Sequence, residues 1–188
     1  MSHKFRSARL PSPGDVLIDR FPLDHLLAVI DVLSTIGVHV HQTDLSQDPT
    51  SCSVQVVCNQ NLSPVMFTTQ PFPGFPTDLQ AQMMALLCIS NGNSIVTEKI
   101  YPERFMHVPE LSRMGARLVK HGSTVVVQGA DCLIGAPVMA SDLRASASLV
   151  IAGLAAEGET IVSRVYHLDR GYAAMEKMLT QLGASITR

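Results

Sequence analysis

Two segments of the chain each place an aspartate at the start of an apolar helical run and an arginine further along. Asp78 opens the run DLQAQMMALLCIS, and Arg104 follows in the string YPERF. Asp142 opens DLRASASLVIAGLAA, and Arg170 follows in HLDRGY. A fixed carboxylate can serve as a general base, and arginine is a common partner of phosphate and carboxylate groups. The pattern therefore makes these four residues candidates for a site that handles an anionic substrate.

The residues around Asp78 allow two interpretations. Thr77 and Asp78 precede the predicted helix Leu79 to Ser90, and both residue types are preferred helix caps. Alternatively, the proline-rich loop PFPGFPTD holds Asp78 rigidly beside a substrate hydroxyl, where its carboxylate serves as general base. Spacing alone does not separate the two interpretations.

The second segment adds Arg144, which falls in the first turn of an alanine-rich helix. A positive charge there opposes the helix dipole, so an anionic partner is expected. Asp142 is one candidate partner, and a bound phosphate or carboxylate at the helix N-terminus is the other. Arg170 points into the same region if the two segments stack about a common axis, although Asp169 is an alternative partner for it.

These segments belong to an internal repeat with a period of about 65 residues. A third, incomplete copy comes earlier, where VLIDRF precedes HLLAVIDVLSTIG. A repeat of this size predicts supersecondary units that bury their apolar faces by stacking. The equivalent pairs are Gly92 and Gly158, Ile95 and Ile161, Val96 and Val162, Arg104 and Arg170, Gly115 and Gly183, and Ala116 and Ala184.

The helical runs predict an α/β architecture with buried helices. The helix after Asp142 is rich in alanine, serine and glycine, and the helix after Asp78 is apolar on nearly every side. Helices without a polar stripe are normally surrounded by other elements. We therefore expect one central helix per unit, one outer helix per unit, and sheets around a helical core. Residues 1–14 have no period and are interpreted as a flexible leader, which leaves 15–188 as the domain.

Composition excludes several classes of protein. Of the 188 residues, 46% are hydrophobic and 16% charged, which is typical of a globular domain. We expect a cytoplasmic protein without a membrane partner, because no apolar run is long enough to cross a bilayer. The four cysteines show no metal-binding spacing, and the net charge of -2 with dispersed basic residues gives no footprint for nucleic acid.

From about Val16 to Arg188 the sequence resembles the UDP-N-acetylglucosamine enolpyruvyl transferases. The similarity is carried by the strings FPTDLQAQ, ERFMHVPELSRMGA, SDLRASASLVIAGLAAEG and YHLDRGY. The resemblance implies an inside-out α/β barrel of repeated βαβαββ units with buried helices, a fold shared with the shikimate-pathway enolpyruvyl transferase. The strings FMHVPELSRMGA and DLRASAS favour the amino-sugar branch over the shikimate branch.

The resemblance covers the C-terminal part of a two-domain enzyme, so the barrel architecture is incomplete relative to the family. In that family the other domain supplies a Lys-Asn pair and a loop with the catalytic cysteine, and neither motif occurs here. We therefore expect the isolated chain to be inactive and a companion polypeptide to carry the missing domain. A non-catalytic UDP-N-acetylglucosamine-binding fragment and an inactive gene remnant are the alternatives.

The resemblance also implies a reaction and its residues. The 3-hydroxyl of UDP-N-acetylglucosamine adds to C2 of phosphoenolpyruvate, and loss of phosphate leaves the enolpyruvyl ether that commits the sugar to peptidoglycan synthesis. No metal or organic cofactor is implied. The resemblance assigns catalysis to Asp78 and Arg170, and it assigns substrate binding to Asp78, Ile100, Arg104, Asp142, Arg144 and Arg170.

Overall fold

The computed structural model describes residues 2–7, 14–44, 51–58 and 61–187. The twelve strands are β1 (Ser2–Ser7), β2 (Asp15–Phe21), β3 (Val38–Gln42), β4 (Cys52–Cys58), β5 (Met66–Thr68), β6 (Asn93–Thr97), β7 (Arg117–His121), β8 (Thr124–Gln128), β9 (Leu133–Ile134), β10 (Pro137–Met139), β11 (Ala156–Ser163) and β12 (Ser185–Thr187). The α-helices are α1 (Leu27–Thr35), α2 (Gln80–Leu87), α3 (His107–Arg113), α4 (Leu143–Ala155), α5 (Tyr166–Asp169) and α6 (Met175–Gln181). Short 3-10 turns cover Leu23–His25 and Thr77–Leu79.

The middle of the chain forms a β-α-β-α-β-β unit from β5 to β8. Its four-stranded sheet has the order β5-β6-β8-β7. The β5 and β6 strands are parallel, since a helical crossover joins them, whereas β8 runs antiparallel to both β6 and β7. The sheet order confirms that this repeat copy is one supersecondary unit.

The last repeat copy builds a second sheet with the same strand arrangement. In the order β10-β11-β1-β12, the β10 and β11 strands are parallel, and β1 is antiparallel to β11 and β12. Val96 of β6 pairs with Phe67, and its repeat equivalent Val162 of β11 pairs with Val138. The N-terminal strand β1 therefore takes the position in this sheet that β8 takes in the preceding one.

This pairing corrects the expectation of a leader without regular structure. Ser2–Ser7 is a strand hydrogen-bonded on both sides, while residues 8–13 lie outside the described residues. The strand escapes sequence analysis because its partners lie at the opposite end of the chain and its local sequence shows no alternation. Its pairing with β11 and β12 satisfies backbone groups that would otherwise form two open sheet edges.

The first repeat copy is incomplete, as the sequence predicts. It consists of β2, α1, β3 and β4, which form a three-stranded sheet in the order β2-β4-β3. Both strand pairs are antiparallel. The predicted helix from Leu23 is interrupted: a 3-10 turn comes first, and α1 then ends before Gly37, whose φ of 96° places it in the left-handed region expected of a glycine cap.

The helices α2 and α4 lie at the centre, packed against each other. Six of the eight residues of α2 are buried, and Ala145 to Val150 of α4 are buried without interruption. In contrast, α6 has no buried residue and α3 has two. The prediction of central and outer helices is confirmed for these two units. Within the described residues, no helix is long and apolar enough to span a membrane.

The outer helices end in the same way in both units. Gly115 donates to Ser112, and Ala116 donates to Leu111. Gly183 and Ala184 repeat this pattern with Thr180 and Leu179, and both glycines have positive φ. These paired bonds define a Schellman motif, in which glycine is favoured because the left-handed conformation crowds a Cβ atom. The predicted equivalence of Gly115 with Gly183 is thereby confirmed.

Candidate active site

Asp78 lies in the 3-10 turn that leads into α2. Its carboxylate makes no capping hydrogen bond with the helix, and neither does the hydroxyl of the other predicted cap, Thr77. The capping interpretation is therefore wrong at this position. Two guanidinium groups engage the carboxylate instead, through charge-assisted hydrogen bonds.

The two guanidinium groups belong to Arg104 and Arg144. Arg104 Nη1 donates to Asp78 Oδ1 at 2.9 Å, and Arg144 Nη2 donates to Asp78 Oδ2 at 2.5 Å. The side chains of Arg104, Arg144 and Asp78 are 28%, 32% and 49% exposed, so a ligand can reach all three. We call this group the ion triad.

Mutual pairing changes the protonation behaviour of the triad. The hydrogen bond from Arg144 is the largest influence that lowers the pKa of Asp78, and the Arg104 hydrogen bond and both positive charges act in the same direction. The same bond raises the pKa of Arg144. Asp78 is therefore ionised at neutral pH, and it is a weak base for as long as both arginines hold it.

Arg144 is placed by the N-terminus of α4. Asp142 is the helix cap, and its Oδ1 accepts from the backbone N–H groups of Arg144 at 2.8 Å and Ala145 at 3.0 Å. The guanidinium of Arg144 extends to Asp78, so Asp142, one of the two partners considered for it, is not its hydrogen-bonded ion pair, although the charge of Asp142 also raises the pKa of Arg144. Asp142 fixes the backbone from which the arginine side chain projects, because its carboxylate is better used on the free N–H groups of the first turn.

Arg104 is held by a second acceptor. Its Nη1 also donates to Thr77 Oγ1 at 3.1 Å, and Thr77 Oγ1 in turn contacts Glu98 Oε2 at 2.9 Å. Glu98 was not among the predicted site residues, and its side chain is completely buried. A signal was available: Glu98 follows Ser94 and Val96 at every second position, so strand alternation aims a carboxylate into the core.

The ion triad lines an open depression. Its volume is about 450 Å³, and its lining residues are Asp78, Tyr101, Arg104 and Arg144. The guanidinium carbon of Arg104 lies 5.2 Å from the centre of the Tyr101 ring, within the range of a cation–π contact. An aromatic face beside two arginines suits a ligand that carries both an anionic group and a planar or sugar ring.

Two further predicted residues, Ile100 and Arg170, are not among the residues that line the depression. Ile100 precedes Tyr101, and its backbone N–H donates to Glu98 Oε1 at 2.8 Å. Arg170 is exposed just after α5 and is not among the lining residues. The neighbouring Gly171 does pack on the site: a Cβ there would lie 2.7 Å from a methyl group of Leu143, the residue between Asp142 and Arg144. The segment that carries Arg170 therefore packs against the first turn of α4, from which Arg144 projects.

A buried histidine lies behind the site. His107, the first residue of α3, is 2% exposed, and its Nε2 has no hydrogen-bond partner among the described residues. Burial lowers its pKa to about 4, opposed by the charge of Asp142 and reinforced by that of Arg104. The imidazole is therefore neutral at physiological pH.

The sequence of the chain matches a known protein family. The model of the EPSP synthase (3-phosphoshikimate 1-carboxyvinyltransferase) family matches residues 4–179. The chain belongs to the EPSP synthase family. One curated relative, the UDP-N-acetylglucosamine 1-carboxyvinyltransferase of Ruegeria pomeroyi, is 55% identical over 93% of this chain. The protein of the same name from Novosphingobium aromaticivorans is 51% identical over 93% of the chain, which confirms the predicted resemblance.

The matched region is a part of each relative. The chain covers 40% of the Ruegeria protein and 39% of the Novosphingobium protein. The crystal structure of the enolpyruvyl transferase NikO from Streptomyces tendae superposes with a TM-score of 0.78 at 28% identity, over 94% of this chain and 40% of that one. This similarity confirms the predicted α/β class, and the sheets of the chain are mixed.

Proposed function

We propose that this chain carries the C-terminal part of an active site that transfers the enolpyruvyl group from phosphoenolpyruvate to the 3-hydroxyl of UDP-N-acetylglucosamine. The ion triad of Asp78, Arg104 and Arg144 is the observation on which the proposal rests. The names of the relatives support the choice of substrates. The reaction belongs to peptidoglycan synthesis and takes place in the cytoplasm.

The chemistry requires a base and several cations. The sugar oxygen forms a bond to C2 of phosphoenolpyruvate as its hydroxyl proton passes to the base, and a general acid protonates C3. The adduct then returns a C3 proton to a base as it expels phosphate, which leaves the enolpyruvyl ether. Asp78 takes the hydroxyl proton, and Arg104 and Arg144 neutralise the phosphate and carboxylate groups. Arg170 contributes a further cation, Asp142 holds the α4 N-terminus in place, and the backbone of Ile100 contacts the nucleotide.

The ion triad also explains how a weak base becomes competent. Without substrate, both arginines hold the Asp78 carboxylate, and its pKa is lowered. A trianionic substrate such as phosphoenolpyruvate competes for the same guanidinium groups. When they turn to the substrate, Asp78 loses its hydrogen bonds and its pKa rises towards the range of a useful base. Substrate binding and base activation are thus one event.

The depression is open, and the chain spans about two fifths of its relatives. We therefore infer that a second domain closes over the triad and supplies the remaining catalytic groups. The three stacked units form the matching portion of an inside-out α/β barrel. Residues 15–188, completed by β1 in the last sheet, constitute the substrate-binding domain.

The test is phosphate release from phosphoenolpyruvate and UDP-N-acetylglucosamine. The purified chain alone should release none, and mixing it with a separately purified domain that carries a Lys-Asn pair and a cysteine loop should start release. Calorimetry should show weak binding of UDP-N-acetylglucosamine by the chain alone, because one wall of its cleft is missing. Steady turnover by these 188 residues alone would contradict the need for a second domain. No turnover after mixing, together with no binding of either substrate, would overturn the function.

A further inference from the structure

Glu98 is a completely buried carboxylate one hydroxyl group away from the ion triad. Its Oε1 accepts from Thr69 Oγ1 at 2.7 Å and from the backbone N–H groups of Ile100 and Tyr101 at 2.8 and 3.0 Å. Its Oε2 contacts Thr77 Oγ1 at 2.9 Å. The two oxygens therefore have different partners: Oε1 holds the backbone after β6, and Oε2 faces the site.

The direction of every hydrogen bond to Glu98 can be assigned. Arg104 donates to the Thr77 hydroxyl, and the Lys99 backbone N–H donates to the Thr69 hydroxyl at 2.9 Å. Guanidinium and amide N–H groups only donate hydrogen bonds. Each threonine hydroxyl therefore accepts from them through its oxygen and donates its one hydrogen to a Glu98 oxygen. All four partners then donate to Glu98, which is the arrangement that an ionised, acceptor-only carboxylate requires in a buried position.

The direction of the hydrogen bond from Thr77 to Glu98 determines how the Thr77 hydroxyl meets Arg104. Because the hydrogen of Thr77 points to Glu98, its oxygen lone pairs face the guanidinium, and Arg104 Nη1 is held between Thr77 Oγ1 and Asp78 Oδ1. We propose that Glu98 is a positioning residue that acts through the Thr77 hydroxyl to hold Arg104 against Asp78. Its relevance to catalysis rests on the proposed function, whereas the positioning itself does not.

A purely structural role for Glu98 would use its other oxygen. The bonds to Oε1 fasten the segment after β6 to Thr69 of the neighbouring β5 edge, and this fastening needs neither Thr77 nor Arg104. The two roles can therefore be separated by variants that remove one donor at a time and leave Glu98 intact.

Three threonine variants make the matched set. Thr77→Val removes the hydroxyl between Glu98 and Arg104 while keeping the side-chain shape, and Thr77→Ser restores the hydroxyl. Thr69→Val removes an equally short bond to Glu98 on the structural side. Glu98→Gln places an amide donor opposite Thr77, so that two N–H donors face one hydroxyl oxygen. The threonine set keeps the question testable even where Glu98→Gln folds poorly.

The measurement is NMR of the full chain labelled at arginine and aspartate, with rotation of the Arg104 guanidinium and titration of the Asp78 carboxyl as readouts. Thr77→Val and Glu98→Gln should speed this rotation by roughly tenfold, the factor expected for one lost charge-assisted hydrogen bond. In both variants Asp78 should titrate at higher pH than in the wild type. Thr77→Ser and Thr69→Val should match the wild type in both readouts, and combining Glu98→Gln with Thr77→Val should add nothing to Thr77→Val alone.

Three outcomes would overturn the proposal: unchanged Arg104 signals in Thr77→Val, equal changes in Thr69→Val, or additive effects in the double variant. Enzymatic turnover is not part of the readout. A reconstituted enzyme without turnover, together with a chain that binds neither substrate, would refute the proposed function, and the NMR signals would still decide whether Glu98 positions Arg104.

Discussion

Asp78 and Arg144 are 66 positions apart in the chain, yet Arg144 Nη2 donates to Asp78 Oδ2 at 2.5 Å. Asp78 leads into α2 and Arg144 lies in the first turn of α4, the two buried helices of successive repeat units. Because these helices pack against each other, their N-terminal ends bring opposite charges together. Stacking of the repeat units is therefore what assembles the site.

Replacement of Asp78 should separate anion binding from chemistry. Asp78→Asn removes the carboxylate that occupies both arginines, so the isolated chain should bind phosphoenolpyruvate more tightly, on the order of tenfold for one charge-assisted contact released. In a reconstituted enzyme the same variant should lower the single-turnover rate by about two orders of magnitude or more, the range for loss of a general base. Calorimetry and rapid-quench measurements check the two effects.

Asp19→Asn is a control for this prediction, because Asp19 is exposed and contacts Ser53 rather than an arginine. It should leave affinity and rate unchanged. Equal or weaker binding of phosphoenolpyruvate by Asp78→Asn would show that the carboxylate and the substrate anion do not compete for the guanidinium groups.

The two arginines should differ in their influence on Asp78. Since the hydrogen bond from Arg144 is the largest influence on this carboxyl, Arg144→Met should raise the pKa of Asp78 more than Arg104→Met does. Carboxyl titration by NMR measures both shifts in the folded chain. An equal or reversed order would mean that Arg104, with its support from Thr77, is the stronger partner.

The sequence predicted the principal charged residues but not how they are held. The repeat and the family resemblance together singled out Asp78, Arg104 and Arg144, since helix starts and loop arginines are visible as local patterns. Glu98 was not predicted as a site residue, because the burial of a residue at a strand end becomes apparent only when the residues at alternate positions are considered with it. The contact of Thr77 with Arg104 depends on side-chain directions that spacing does not determine.

In the fold, too, local features were predictable from the sequence and long-range contacts were not. The α2 and α4 helices were predictable from composition, and the ends of α3 and α6 from the equivalent Gly115 and Gly183. The β1 strand was not, because its partners Ala156–Ser163 and Ser185–Thr187 lie at the far end of the chain. Long-range strand pairing depends on what is left unpaired elsewhere, and a local sequence window does not contain that information.

Asp142 should act through the helix backbone. Asp142→Ala removes the acceptor for two N–H groups of α4 and should lower the free energy of unfolding by about 1 kcal/mol, whereas asparagine is itself a good cap and should lose only a few tenths. Urea unfolding at neutral pH compares the two variants. Both should bind phosphoenolpyruvate more weakly than the wild type, Asp142→Ala most, because Arg144 starts from this turn. Equal stability losses would argue against the capping role.

The buried His107 should make the chain sensitive to mild acid. Its folded-state pKa of about 4 lies below the ordinary value of 6.5, so the unfolded state takes up a proton first as the pH falls. The stability that this residue contributes is complete above pH 6.5 and is lost progressively between pH 6.5 and about 4. Between pH 7 and pH 5 the loss should be about 2 kcal/mol.

The measurement is urea unfolding of the wild type and of His107→Gln at both pH values. His107→Gln removes the titrating group, so its stability should fall less between pH 7 and pH 5, by about 2 kcal/mol relative to the wild type, whatever its stability at pH 7. His121→Gln is the matched control, because it replaces an exposed imidazole at the end of β7 instead of a buried one. If His107→Gln and the wild type lost equal stability over this interval, the imidazole would have to accept a proton in the folded protein without penalty, and its burial beside Arg104 would need another explanation.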